Sequence, residues 1–293
     1  MPDGLRPSTV IKWYDQHARD LPWRAADRTP WGVLVSEIML QQTPVARVEP
    51  VWRQWMDRWP TPASLAAEQP AAAIRAWGRL GYPGRALRLH AAGRAIVEQH
   101  GGEVPSSVAE LRALPGIGEY TAAAVAAFAF EQRHVVMDTN VRRVLARAVT
   151  GAALPAVTTT AVERRLAAAL LPESGAAAAR WSVAAMELGA LICTARSPQC
   201  ERCPLASVCA WRLAGYPPHD GPIRRGQAWA GTDRQARGAL MAVIRDSPDE
   251  VSRPRLDAIW PHDPVQRERA LDGLVADGLV EPIDGDRFRL PAS

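Results

Sequence analysis

The chain has 293 residues, 47% hydrophobic and 23% charged, with 11 tryptophans and a formal net charge of +4. That allows two compact domains, or one with an appendage, around an ordinary globular core. No run approaches the ~20 apolar residues of a membrane span. Residues 1–20 have neither the apolar stretch nor the small-residue cleavage site of a secretory signal, so a soluble, cytoplasmic protein is expected.

The charge is uneven. Residues 1–225 carry a net +7 and residues 226–293 a net −3. A basic body suits a polyanion such as nucleic acid, and a solvated basic surface is the plainer alternative. Lys12 is the single lysine.

In chain order, residues 1–215 read as helix after helix, with no alternating strand pattern. Ser8 can cap a first helix that sets Val10, Ile11 and Tyr14 on one side. Pro30 precedes a second, over 31–42. Thr43-Pro44 breaks it, because the residue before proline is pushed out of the helical region. Further helices are predicted at 44–58, 71–78, 84–99, 107–113, 119–130, 139–149, 159–171 and 178–192. Leu114-Pro115-Gly116-Ile117-Gly118 makes a hairpin whose glycines let backbone N–H groups approach an anion beside an open helix N-terminus. Alone, such a sequence is more often only a turn. Gly215, Pro217, Pro218, Gly221, Pro222, Gly226 and Gly231 mark a linker. Helices at 232–245, 253–260 and 263–278 follow. Strands at 279–283 and 287–290, joined by Asp284-Gly285-Asp286, complete a winged-helix-like layout.

All four cysteines, Cys193, Cys200, Cys203 and Cys209, lie within 17 residues as C-x6-C-x2-C-x5-C. In an intracellular chain this indicates metal or cluster ligation rather than disulfides. Tetrahedral zinc and a four-iron cluster both use four thiolates, and spacing does not choose between them.

ICTARSPQCERCPLASVC resembles the 4Fe-4S loop of the endonuclease III and MutY family of DNA glycosylases, as does the preceding WSVAAMELGALIC. LPGIGEYTAAAVAAFAF followed by VMDTNVRRVLAR resembles the family's helix-hairpin-helix and downstream aspartate, with the same step from Gly118 to Asp138. The resemblance covers about residues 8–215. It implies a mainly α, two-domain helix-hairpin-helix glycosylase fold with a 4Fe-4S cluster on the four cysteines, plus the small winged-helix-like tail. Residues 1–22 and 134–225 would form the cluster domain, 23–133 the six-helix domain with the hairpin, and 226–293 the tail. Double-stranded DNA would be the partner, with Gly116 and Gly118 seating phosphate and Arg196 and Arg202 beside the cluster as further phosphate contacts. A monomer associated with the nucleoid is the expectation.

Enzymes of this kind must extract a nucleotide from the stack. Bifunctional members then use a hairpin lysine, where this chain has Tyr120, so a monofunctional glycosylase is implied. Two carboxyl groups in contrasting environments can divide the work. Glu37 sits in the apolar run VLVSEIML, where burial should keep it protonated. Asp138 opens a helix and should stay ionised beside its N–H groups. The plainer alternatives are an exposed polar position for Glu37 and an N-cap for Asp138.

SEIMLQQT resembles the MutY segment that holds the catalytic acid and a wedging glutamine; endonuclease III and the thymine-mismatch glycosylases lack that glutamate. By this resemblance Glu37 protonates adenine at N7 and Gln42, flanked by Gln41 and Thr43, fills the space left by the flipped base. Asp138 stabilises an oxocarbenium-like state, with Tyr120 and Asn140 beside it. LPWR places Trp23 and Arg24 at the adenine pocket, though Trp23 could equally belong to the core. The implied substrate is adenine mispaired with 8-oxoguanine or guanine. Thr139 stands where the family usually has glycine, and Pro83 where an aromatic is common. Residues 226–293 are too few for the MutT-like domain of full-length MutY proteins. DNA contact, a protein partner and simple packing all remain open for this acidic tail. A glycosylase for another lesion and a catalytically silent iron–sulfur DNA-binding protein are the competing readings.

Overall fold

The computed structural model describes residues 4–221, 229–284 and 286–292, so Pro222, Gly226 and Gly285 of the sequence reading lie outside the described residues. Its helices are α1 (Pro7–His17), α2 (Pro30–Leu40), α3 (Val45–Arg58), α4 (Pro62–Ala66), α5 (Pro70–Trp77), α6 (Gly84–His100), α7 (Val108–Ala113) and α8 (Glu119–Phe130). They continue as α9 (Thr139–Leu145), α10 (Ala161–Ala169), α11 (Gly175–Leu191), α12 (Ala210–Leu213), α13 (Asp233–Asp246), α14 (Arg253–Ile259) and α15 (Pro264–Ala276). The strands are β1 (Val251–Ser252), β2 (Glu281–Ile283) and β3 (Arg287–Arg289). No helix among the described residues is long and apolar enough to cross a membrane.

Local chemistry sets the helix ends. Pro7 takes the first position of α1, where its fixed φ suits the helix and its missing N–H costs nothing. Arg6 is therefore the N-cap and Ser8 lies inside the helix instead of capping it. The second helix stops at Leu40 because Gln42 takes a left-handed φ of 55°. The unpredicted α4 is five residues long, too short to show a period, and rests on a Thr61–Ser64 capping box. Ser174 caps α11, which begins at Gly175, three residues before its predicted start.

Packing groups the chain into two units. The first comprises Met1–Val33, Ser106–Arg112 and Ile117–Ile223; the second comprises Leu34–Pro105, Ala113–Gly116 and Arg224–Ser293. These limits differ from those read from sequence: α8 goes with the cysteine loop, and residues 226–293 go with the second unit. In the first unit α1, α9 and α11 pack around Val10, Trp13, Val144, Trp181 and Leu188. In the second, Trp55 meets the edges of Trp59 and Trp77 at centroid distances of 4.8 and 5.6 Å.

The C-terminal part of the second unit runs α13, β1, α14, α15, β2, β3. Its antiparallel sheet has the order β1-β3-β2, with Val251 and Pro282 both opposite Phe288. This is the winged-helix order, with a two-residue β1 too short for any alternation to show.

Glu187, midway along α11, is the fully buried carboxylate of the first unit. Arg19 reaches it bidentately, Nε to Oε1 at 2.7 Å and Nη2 to Oε2 at 2.9 Å, and Arg24 Nη1 reaches Oε2 at 2.9 Å. Burial alone would raise its pKa; the Arg19 bonds and the Arg24 charge overcome this and hold it at about 2, against an ordinary 4.5. The unfolded chain therefore takes up a proton that the folded chain refuses. This contribution to stability is complete above 4.5 and lost as pH falls toward 2. Glu187→Gln is expected to cost roughly 3–5 kcal/mol at neutral pH, because it leaves two guanidiniums around a neutral group. Urea unfolding checks this. A midpoint equal to the parent's, or an unchanged loss of stability in acid, would contradict it.

Candidate functional site

Asp138 is the N-cap of α9. Its Oδ1 accepts the Val141 N–H at 2.7 Å and its Oδ2 accepts Asn140 Nδ2 at 2.7 Å. Burial pushes this carboxyl above its ordinary range, while the Val141 and Asn140 bonds and the Arg143 charge pull it down less strongly. Full ionisation at the helix start, expected from sequence, is therefore opposed by desolvation. Asn140 is fixed in turn by Arg143, whose Nη2 donates to Asn140 Oδ1 at 2.8 Å and to the Gly189 carbonyl at 2.6 Å. Arg143 Nε donates to the Cys193 carbonyl at 2.6 Å. α9 lies so close to α11 that a Cβ on Gly189 would stand 2.6 Å from Asn140 Cβ and 2.8 Å from its carbonyl oxygen.

Tyr120, in the first turn of α8, is half-buried and packs against Ala124, Ala127 and Val136. In the turn before α8, Gly116 has φ 77°, and a Cβ there would fall 2.6 Å from Arg88 Cβ. Gly118 is the N-cap of α8 and has no side chain with which to cap it, so the backbone is open to close approach at this helix start.

Glu37 is buried, 9% exposed, and every residue from 31 to 39 in α2 is buried with it. The exposed-polar alternative is thereby removed for this position. The chain then turns through Gln41, Gln42 and Thr43, leaving Gln42 exposed. Arg85, 5% exposed, organises that turn from below. Its Nη1 donates to the carbonyls of Ile38, Met39 and Gln41 at 3.0, 3.1 and 2.5 Å. Its Nη2 donates to Thr43 Oγ1 and to the Gly81 carbonyl, both at 3.0 Å. The open carbonyls at the end of α2 are thus met by a cation, as the helix dipole favours.

The four cysteines form no disulfide and line one pocket together with Arg147 and Trp211. Among the described residues no three His, Cys, Asp or Glu side chains converge as they would on a single ion. Four thiols lining one pocket fit a four-thiolate centre. Arg147, 3% exposed, supplies the compensating charge: Nη1 donates to Cys193 Sγ at 3.4 Å and to the Thr194 carbonyl at 2.7 Å. Burial pushes the Cys193 thiol up and Cys203 up to about 11, so loading the site releases protons. Arg196 and Arg202 beside the loop are exposed, and Arg202 bonds Gln199.

Trp23 is 6% exposed, and Arg24 is committed to Glu187. Sequence reasoning did not single out Arg85, Arg143, Arg147 or Glu187. Their only signal was an arginine or glutamate inside a predicted helix.

Residues 35–169 match the HhH-GPD superfamily of base excision DNA repair proteins. Residues 193–209 match the iron–sulfur binding domain of endonuclease III, so this loop carries the chain's 4Fe-4S cluster. An adenine DNA glycosylase of Mycobacterium tuberculosis (strain CDC 1551 / Oshkosh) is 51% identical over 290 residues, covering 99% of this chain and 95% of that one. Another, from Mycolicibacterium smegmatis, is 53% identical over 288 residues, covering 98% and 96%. The solved structure of a thermostable thymine-DNA glycosylase is similar at a TM-score of 0.64 and 27% identity, over 71% of this chain and 95% of that one.

Gly189→Ala is expected to force α9 and α11 apart and cost about 1–3 kcal/mol, the usual effect of overpacking a tight contact. Its urea midpoint should fall while helix content and iron content persist. A midpoint equal to the parent's would show that the contact has slack.

Proposed function

This chain belongs to the adenine DNA glycosylases of the HhH-GPD superfamily, and we propose that it excises adenine mispaired with 8-oxoguanine or guanine in duplex DNA. The reaction is hydrolysis of the N-glycosyl bond of a flipped adenosine nucleotide. Glu37 protonates the adenine at N7, making the base a better leaving group. Asp138 lies by the sugar and stabilises the positive charge that develops there, and water completes the reaction. Tyr120 and Asn140 stand beside it, Asn140 orienting the carboxylate through its 2.7 Å bond. Gln42 enters the gap left by the base, flanked by Gln41 and Thr43. The turn at Gly116 and Gly118 takes a backbone phosphate. The chain acts as a monomer and, with Tyr120 in place of a hairpin lysine, without strand cleavage.

The observation that supports this most is the setting of Asp138. Both of its oxygens accept from nitrogen donors, an arrangement that serves a carboxylate, while partial burial limits the water that would screen a nearby cation. Trp23 belongs to this reading only as a wall of the adenine pocket, and Arg24 as a support for that wall rather than a DNA contact, since it is held by Glu187. Cys193, Cys200, Cys203 and Cys209 would hold the cluster, which would keep the loop that carries them in shape.

Under single-turnover conditions, Glu37→Gln and Asp138→Asn should each lower adenine release by ~10²–10⁴-fold, with duplex binding retained. Near-parental release by either variant would remove that residue from the mechanism. The rate should also depend on pH through Asp138, which must be ionised to act. Since burial raises its pKa, activity should start to fall on acidification at a pH above the ordinary aspartate range. A rate that is flat down to that range would contradict the assignment.

A further inference from the structure

The loop that joins α5 to α6 is held almost entirely by side chains from elsewhere in the second unit. Four consecutive carbonyls are occupied. Arg245 Nη1 donates to Gly78 at 2.7 Å, Arg47 Nη2 to Arg79, and Thr43 Oγ1 to Leu80 at 3.4 Å. Trp77 Nε1 and Arg85 Nη2 share Gly81 at 2.9 and 3.0 Å. Three of these donors, Thr43, Arg47 and Arg85, belong to the Gln42 turn or to residues packed against it. The first carbonyl, that of Gly78, is held from the C-terminal module.

Arg245 lies in the last turn of α13, and Gly78 is the C-cap of α5. The return contact has the same form. Arg75, in the last turn of α5, donates through Nη1 to the carbonyls of Arg245 and Ser247 at 2.5 and 2.6 Å. Each helix therefore places an arginine on the open carbonyls at the end of the other, where the dipole is negative. Ser247 is buried and Arg245 half-buried, while Arg75 covers them from the exposed side. The loop beyond it ends at Tyr82, whose φ of 49° is left-handed for a non-glycine residue, as is the 55° of Gln42. Such conformations persist only where surrounding contacts over-determine them.

The third helix of a winged-helix module is the one that would enter a DNA groove. Here its basic side chains are paired within the module: Arg269, although exposed, bonds both oxygens of Asp233, and Arg267 bonds the Trp260 carbonyl. Residues 226–293 also carry the net −3 charge. The module thus lacks the footprint of a DNA reader and possesses that of a brace.

We propose that the C-terminal module is a positioning element for base extrusion: through the Arg75–Arg245 junction it fixes loop 78–82, and through that loop and Arg85 it fixes the turn that presents Gln42. This inference rests on the role given to Gln42 above. The test uses the full chain with Arg245→Ala, Arg245→Lys, Arg75→Ala and Gln42→Ala. For each, single-turnover adenine release, affinity for a duplex with a non-cleavable adenine analogue, and thermal melting are measured. Unstacking is read from the fluorescence of 2-aminopurine placed beside the mispair.

Arg245→Ala and Arg75→Ala should slow release by about ten- to a hundredfold, as small misplacements of positioning groups do. The 2-aminopurine signal should fall with the rate while affinity stays close to the parent's. Arg245→Lys, which can still donate to Gly78, should recover most of both. Normal release and unstacking in both alanine variants would overturn the proposal. So would affinity, release and melting falling together without rescue by lysine, which would indicate a DNA contact or a purely structural junction. Should Arg245→Ala fail to fold, Arg75→Ala and Arg245→Lys carry the comparison. Unimpaired unstacking by Gln42→Ala would remove the underlying reading itself; an impaired Gln42→Ala beside a normal Arg245→Ala would remove only the role of the module.

Discussion

The Arg143 guanidinium donates to four groups: the carbonyls of Thr139, Gly189 and Cys193 and the side-chain oxygen of Asn140. It is 9% exposed, so none of these bonds can be exchanged for water without loss. The first turn of α9 is thereby tied to the end of α11 and to the first cysteine of the iron–sulfur loop. Asp138 and Asn140 sit on that turn. Their position is a consequence of where the loop is, and the close approach that makes it so depends on the missing side chain at Gly189.

The same device recurs. Arg85 holds the Gln42 turn, Arg147 holds the cysteine loop, and Arg75 and Arg245 hold the C-terminal module. Each is an arginine donating to main-chain carbonyls, and Arg245 pairs with the Asp246 carboxylate as well. A planar guanidinium can reach several carbonyls at fixed angles, which a lysine ammonium does far less well. The near-absence of lysine from this chain is consistent with that use. It also changes the meaning of the basic excess in residues 1–225: part of that charge is spent inside the fold and never meets DNA.

Much of the fold was legible because its signals are local. The cysteine spacing, the Gly116–Gly118 turn and the apolar periods of the longer helices each depend on a few neighbouring residues. Glu37 and Asp138 stood out for the same reason, one inside an apolar run and one at a helix start. What stayed hidden depends on distant partners or on very short elements. Arg24 reads as a residue of the adenine pocket until Glu187, 163 residues away, is seen to hold it. Arg85 gave no sign of serving the Gln42 turn, because its partners lie more than 40 residues upstream. α4 and β1 are shorter than any period. The grouping of residues 226–293 with the second unit rests on helix-end contacts that no composition shift announces.

The central claim is tested most directly by base release from a set of duplexes. These carry adenine opposite 8-oxoguanine, guanine, cytosine or thymine, together with a thymine–guanine mismatch and a thymine-glycol duplex, and are cleaved afterwards with alkali. The account predicts adenine loss concentrated opposite 8-oxoguanine and guanine, with both thymine substrates intact. Release of a pyrimidine, or tight binding with no base release, would contradict it.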